Sequence, residues 1–209
     1  MLTVHHLGRS QSDRIVWVCE ELGIPYELKV YAREATGAAP PQYKALHTLG
    51  AAPVIQDGDL TMAESGAIVE YLCRKYGKGR LLVDFGAPNY ADFVYWFHFA
   101  NATFMPSFLM VIFAPADAGA ERAKLIRHRM ERCFELIERR LEKQPYLAGA
   151  EFTAADLMNL FPLTTMRLFV PYDLSKSPHT LAYLQRIAAR PALKRTRQKG
   201  DPDLDQKLT

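Results

Sequence analysis

Three short stretches of this chain carry side chains suited to gripping a small charged molecule. In Asp57-Gly58-Asp59-Leu60-Thr61-Met62-Ala63-Glu64-Ser65-Gly66-Ala67-Ile68, a tight turn and a short strand lead to an acid and a hydroxyl at the mouth of a helix. Ser65 with its N–H can hold a carboxylate there, and Glu64 can pair with an ammonium, so together they suit an amino-acid head group. The plainer alternative is a capping serine beside an acid that favours the helix dipole. The second stretch is Gly8-Arg9-Ser10-Gln11-Ser12-Asp13, between a strand and a helix, where free N–H groups and the dipole favour a thiolate or carboxylate. Ser12 has the position and chemistry of an N-cap. Ser10, one step farther out, is read as free to point at a ligand. The third is Ala52-Pro53 at a strand entrance. A cis bond there would offer the Ala52 backbone to an extended peptide-like ligand, whereas a trans bond would make it an ordinary strand start.

Periodicity supplies the elements that must hold these stretches. Leu2 to Leu7 is strand-like; Ile15, Val18, Cys19 and Leu22 recur at helical spacing and stop at Gly23, a C-cap signal. Tyr26 to Tyr31 alternates as a second strand, and the Ala/Pro/Gly-rich segment 33–41 leads to a short helix. Val54-Ile55 and Leu60 to Met62 flank Asp57-Gly58, a dipeptide that favours a two-residue hairpin turn. Ile68, Tyr71, Leu72 and Tyr76 return to one helical face, ended by Gly77 and Gly79. The order β-α-β-α-β-β-α predicts a four-stranded mixed sheet with helices on its faces. After residue 80 strand signals cease. Residues 90–113 are apolar nearly all round, with Pro106 expected to kink the helix. Positions 126, 130, 133, 137 and 141 form an amphipathic stripe, and Thr153-Ala154-Ala155-Asp156 has the form of a capping box. The fold class is α/β plus all-α: residues 1–79, a linker over 80–88, and a helical domain over 89–209 with a frayed tail from Lys199.

Composition excludes more than it selects. With 26 basic and 23 acidic side chains the net charge is +3, too weak to argue nucleic-acid binding. Cys19, Cys73 and Cys133 are odd in number and contain no C-x-x-C pair, so they read as apolar core residues in a reducing compartment. The opening Met1-Leu2-Thr3-Val4 runs straight into a strand pattern. The longest apolar run, Phe104 to Ala116, falls short of the roughly 18 to 20 residues of a membrane span. A cytoplasmic chain with no membrane partner is expected.

Over nearly its whole length the chain resembles the cytosolic glutathione transferases. Its first 80 residues are similar to their thioredoxin-like domain and the helical remainder to their C-terminal domain. Ser10-Gln11-Ser12-Asp13-Arg14 resembles the serine-containing loop of theta-like members, and Pro53 through Glu64-Ser65-Gly66-Ala67-Ile68 resembles the family's cis-proline and glutamate-serine signature. The resemblance implies glutathione as co-substrate. Glu64 and Ser65 would hold its γ-glutamyl end, the backbone of Ala52 beside Pro53 its cysteinyl part, and Ser10 would donate a hydrogen bond to the sulfur. His47, Lys44 and Arg33 are the basic side chains placed for the glycine end, and His47 is taken as the binder. A homodimer and a small hydrophobic electrophile are implied too, the latter against aromatics such as Tyr95, Phe99, Phe104 and Phe108. His5 and His6 stand where tyrosine-type members carry their tyrosine and are read as strand residues, with no metal expected. The loop holds no cysteine, which argues against thiol transfer. Related readings are a glutathione-dependent isomerase, dehalogenase or peroxidase, and a non-catalytic protein-interaction module of the same fold.

Overall fold

The computed structural model describes residues 1–115, 117 and 119–204. Strand β1 (Leu2–Leu7) is buried at every position. It runs between β2 (Glu27–Tyr31), parallel to it, and β3 (Val54–Asp57), antiparallel to it. A central strand covered on both faces buries its polar residues too, and Thr3, His5 and His6 each find a side-chain partner. Strand β4 (Leu60–Ala63) pairs antiparallel with β3, so the sheet order is β2-β1-β3-β4 and the sheet is mixed, as expected from the sequence. The hairpin turn lies one residue later than expected. Asp57 pairs with Leu60, which leaves Gly58-Asp59 as the loop. Asp57 stays in the strand, and its carboxylate accepts from the hydroxyls of Tyr71 and Tyr76 and from the Lys75 ammonium, each at 2.8 Å.

Helix α1 (Asp13–Leu22) ends where Gly23 takes φ +67° and its N–H reaches the Cys19 carbonyl, a left-handed turn that glycine adopts without a Cβ clash. Helix α2 (Pro41–Lys44) is one turn long and serves to seat Tyr43, fully buried with Leu7, Ala39 and Val54 in a small core. Helix α3 (Ser65–Lys75) buries Ile68, Val69, Leu72 and Cys73.

The contact pattern divides the chain into two units, and the first takes back a late segment: residues 1–82 group with residues 189–204. The boundaries read from the sequence do not anticipate this return. Helix α9 (Pro191–Gly200) packs along α1. There Arg195 and Lys199 pair with Glu20 at 2.7 and 2.5 Å, and Arg190 pairs with Glu21 at 2.6 Å. The expected fraying from Lys199 is corrected accordingly: α9 runs to Gly200 and Asp201 is anchored, while residues 205–209 lie outside the described ones.

The second unit is helical through Ala188: α4 (Tyr90–Phe99), α5 (Met105–Ile112), α6 (Ala120–Leu141), α7 (Ala154–Leu163) and α8 (Pro178–Ala188). Between α4 and α5, Ala100–Phe104 winds as a π-helix just before Pro106, where the proline ring leaves an upstream carbonyl without its usual donor. The α6 stripe buries Met130, Cys133, Phe134, Ile137 and Leu141, and Phe134 meets Phe104 edge to face at 5.0 Å. The capping box forms as read: Thr153 Oγ1 accepts from the Ala155 N–H at 3.2 Å, and the Thr153 N–H donates to Asp156 at 2.8 Å. All three cysteines are buried and unbridged. No helix among the described residues is long and apolar enough to cross a membrane.

Candidate functional site

Strand register brings the three sequence stretches to one end of the sheet. Val54 pairs with His5 on one side and with Ala63 on the other. The end of β1 and its Gly8–Ser12 loop, the start of β3 at Pro53, and the end of β4 that delivers Glu64 and Ser65 therefore meet. The Ala52-Pro53 bond is cis.

The serine loop differs from its expected form. Ser10 does not hang free: its hydroxyl lies 2.6 Å from the Leu7 carbonyl and 2.7 Å from Ser12 Oγ, and it accepts the Ser12 N–H at 3.2 Å. Only 6% of Ser10 is exposed, against none of Ser12, so Ser10 is the hydroxyl that reaches the surface. Ser12 holds the N-cap position of α1, yet its backbone is already helical and its side chain makes no capping bond. It turns toward β1 instead, where Oγ accepts the Leu7 N–H at 3.0 Å and meets His6 Nδ1 at 2.9 Å. The other ring nitrogen of His6 lies 3.0 Å from Asp201 Oδ2, and Asp201 also receives the Arg9 N–H at 3.1 Å. Burial alone would raise the Asp201 carboxyl, but His6 and the Arg9 amide bring it below the usual carboxylate range. Gly200 makes this approach possible, since a Cβ there would stand 3.0 Å from His6 Nε2.

Arg14, which no spacing argument singled out, crosses from α1 to α3. Its guanidinium is buried and donates to Gln11 Oε1 and, over 2.9 Å, to Ser65 Oγ. Burial lowers its pKa to about 9, against the attraction of Asp13. The one sequence hint was its place in the Ser10-to-Arg14 motif. Ser65 is buried, whereas Glu64 is exposed and holds φ +72° at the N-cap position of α3, where its carbonyl accepts from Ile68.

Of the three basic residues considered, Arg33 is the one that touches the serine loop. It donates to the carbonyls of Gly8 at 2.8 Å and Arg9 at 3.3 Å, and to that of Gly37 at 2.8 Å, bracing the two loops together. His47 is half-buried and its Nδ1 accepts the Leu49 N–H at 3.1 Å; Lys44 is exposed. His5 spends its ring nitrogens on the Tyr31 hydroxyl and Gln56 Oε1, at 3.0 and 3.1 Å. Among the described residues, the only three His, Cys, Asp or Glu groups close enough to share an ion are His6, Asp13 and Asp201, and both ring nitrogens of His6 are already committed there.

The second unit contains its own cavity of about 950 Å³, lined by Tyr95, Phe99 and Leu136 together with Arg129, Arg132 and Arg139. The aromatics named from the sequence thus divide. Tyr95 and Phe99 line the cavity, while Phe104 and Phe108 are fully buried against Phe134.

The fold and this geometry have close counterparts. A family model described as glutathione S-transferase, N-terminal domain, matches residues 9–75, and one described as glutathione S-transferase, C-terminal domain, matches residues 100–191. Glutathione S-transferase 3 of Schizosaccharomyces pombe is 35% identical over 178 residues, 78% of this chain and 73% of that protein. The solved structure of a glutathione S-transferase from Actinobacillus pleuropneumoniae superposes with a TM-score of 0.88 at 33% identity, covering 100% of this chain and 99% of the other. A glutathione transferase family member from Pseudomonas fluorescens, solved with two glutathione bound, gives a TM-score of 0.79 at 22% identity over 93% and 91% of the two chains. With both halves matched by the family's models and a relative of this identity over most of its length, the chain belongs to the glutathione S-transferase family.

Proposed function

We propose that this protein is a glutathione transferase that activates the glutathione thiol for attack on a hydrophobic electrophile. The observation that carries the reading is the double pairing of Val54 with His5 and Ala63, which gathers an anion-favouring loop, a cis-proline edge and a polar helix start at one end of the sheet. Ser65 and Glu64 hold the γ-glutamyl end of glutathione, the Ala52 backbone beside Pro53 pairs with its cysteinyl part, His47 meets its glycine carboxylate, and Ser10 faces the sulfur. These roles are supported by the motif matches and by the shared end of the sheet. This makes the chain a serine-type member of its family.

A free thiol has a pKa near 8.5, so only a few per cent is ionised at neutral pH, and each unit of lowering is worth about 1.4 kcal/mol. One hydrogen bond to a charged sulfur, at roughly 1.5 to 3 kcal/mol, supplies one or two units. Holding both reactants together accounts for the rest of the acceleration. The cavity of the second unit, with Tyr95, Phe99 and Leu136 in its lining, supports a small hydrophobic electrophile. Pairing of two copies rests on the resemblance, and sedimentation of the purified protein tests it.

Calorimetric titration with glutathione, followed by turnover of a chlorinated dinitrobenzene, tests the activity. Saturable binding with turnover is the expected result. No binding up to millimolar glutathione would overturn the reading and redirect attention to a protein-interaction role.

A further inference from the structure

Four side chains of the first unit form an unbroken hydrogen-bonded line that passes through buried His6 and Ser12 to the site. Asp201 Oδ2 is 3.0 Å from His6 Nε2, His6 Nδ1 is 2.9 Å from Ser12 Oγ, and Ser12 Oγ is 2.7 Å from Ser10 Oγ. His6 and Ser12, in the middle of the line, are wholly buried, while Ser10 at one end and Asp201 at the other keep some exposure.

While His6 is neutral, the donors in this line have one direction. Asp201, held below the usual carboxylate range by His6 and Arg9 despite its burial, is ionised and can only accept, so Nε2 of His6 carries a hydrogen. In neutral His6 the other nitrogen is then an acceptor, and Ser12 gives it, at 2.9 Å, the one hydroxyl hydrogen that the Leu7 carbonyl at 3.2 Å would otherwise take. With that hydrogen committed and the Leu7 N–H already accepted, Ser12 can only accept from Ser10. Ser10 therefore turns its own hydrogen inward, to Ser12 or to the Leu7 carbonyl, and offers a lone pair outward. A serine in this state cannot donate to a thiolate. It can accept from a thiol.

We infer that His6 takes the proton of the glutathione thiol through Ser10 and Ser12, with Asp201 as the positioning residue that fixes the imidazole and balances its charge. The inference rests on the glutathione site proposed above. The thiol S–H bond breaks and its electron pair stays on sulfur. Ser10 Oγ takes that proton while its own passes to Ser12 Oγ, and the Ser12 proton passes to His6 Nδ1. The products are a thiolate that accepts from the Ser10 hydroxyl and an imidazolium that donates to Ser12 and to Asp201. The relay thus creates the outward-pointing donor that the thiolate needs. An acid, an imidazole and a hydroxyl in a line do the same work in hydrolases, where the carboxylate orients the ring and stabilises its charged form.

Two acids flank the His6 ring: Asp201, which follows α9, and Asp13, in the first turn of α1, each bring a carboxylate oxygen within 4.8 Å of a ring nitrogen, and the β2 partner Val30 is uncharged.

The test counts protons. Glutathione is titrated into the parent protein in two buffers of different ionisation enthalpy, and bound thiolate is measured by its ultraviolet absorption. S-methylglutathione, which has no thiol proton, corrects for other groups. The expected result is thiolate formed with far less than one proton released per site, because His6 retains it. Ser12→Ala, which cuts the line, is expected to release close to one proton per thiolate, or to form several-fold less thiolate at the same pH. Asp201→Asn, nearly identical in shape, is expected to lower the thiolate fraction several-fold while glutathione still binds. A full proton released per thiolate by the parent overturns the inference without any variant. So does bound glutathione that stays a thiol, or a Ser12→Ala protein with the parent's proton count. Absence of glutathione binding would instead remove the site on which the inference rests.

Discussion

Arg14 reaches from the start of α1 to the start of α3, where its guanidinium donates to Ser65 Oγ over 2.9 Å. The same guanidinium also holds Gln11, so one buried cation ties the serine loop to the helix start on which Ser65 sits. Arg14→Lys keeps the charge but loses the planar fork that serves two partners. The glutathione dissociation constant is expected to rise about tenfold, or ~1.4 kcal/mol. Calorimetric titration measures it, and an unchanged constant would show that Ser65 does not depend on Arg14.

Ser65→Ala removes a hydroxyl from the head-group end of the site and leaves every side chain of the serine loop in place. Loss of a hydrogen bond to a charged group costs about 1.5–3 kcal/mol. Glutathione binding should therefore weaken by roughly 10- to 150-fold. An unaltered dissociation constant would place the γ-glutamyl end elsewhere.

Ser10→Ala acts on the sulfur and not on the head group. Turnover is expected to fall about 10- to 100-fold, with the pKa of bound glutathione raised by one to two units, because roughly 1.5–3 kcal/mol of thiolate stabilisation is lost. Affinity for S-methylglutathione should stay near that of the parent. Turnover at the parent's level would take Ser10 out of the mechanism.

Asp57 fastens the β3 end to α3 through Tyr71, Lys75 and Tyr76. Burial works against its charge, but these three donors bring its carboxyl below the usual range. A depressed folded value means that this stabilisation is complete above the unfolded value of about 3.9 and is lost as the pH falls through the folded one. Asp57→Asn should cost about 1.5–3 kcal/mol near neutrality and lower Tm by several degrees. The difference from the parent should shrink in strong acid. A constant difference at all pH values would contradict the assignment.

Asp156 runs the other way. Burial pushes its carboxyl up to about 6, although the Leu147 and Thr153 amides and the Tyr183 hydroxyl favour the charged form. The folded chain then binds that proton more tightly than the unfolded one, so the unfolding free energy should decline by about 2 kcal/mol as pH rises from about 4 to about 6. Asp13, raised to about 6 mainly by burial, adds in the same direction. Denaturant unfolding across this range should show a shallower decline in Asp156→Asn. Parallel profiles for the two proteins would refute the Asp156 share.

The sheet, the helix order and the two-regime architecture were legible because each rests on local rules. Apolar alternation, helical spacing, the Gly23 stop and the Thr153–Asp156 box are satisfied within a few residues of chain, and the structure realises them. The hairpin loop slipped by one residue because Asp57 answers to Tyr71, Lys75 and Tyr76, which lie well downstream. Pro106 announced an interruption, but its form, a π turn over Ala100–Phe104, was set by the packing around it.

The candidate site divides along the same line. The sequence by itself named Ser10, Ala52, Pro53, Glu64 and Ser65 and assigned each a chemical type. Which way the Ser10 hydroxyl turns, that Ser12 serves β1 in place of α1, that Arg14 bridges to Ser65, and that the tail returns to set Asp201 against His6 were decided only in three dimensions. The reason is separation. Asp201 lies 195 residues from His6 and Arg14 lies 51 from Ser65. No periodicity carries such pairings. They follow from the parallel and antiparallel register of β1 and from α9 packing back on α1, where burial makes each polar group find a partner across the fold.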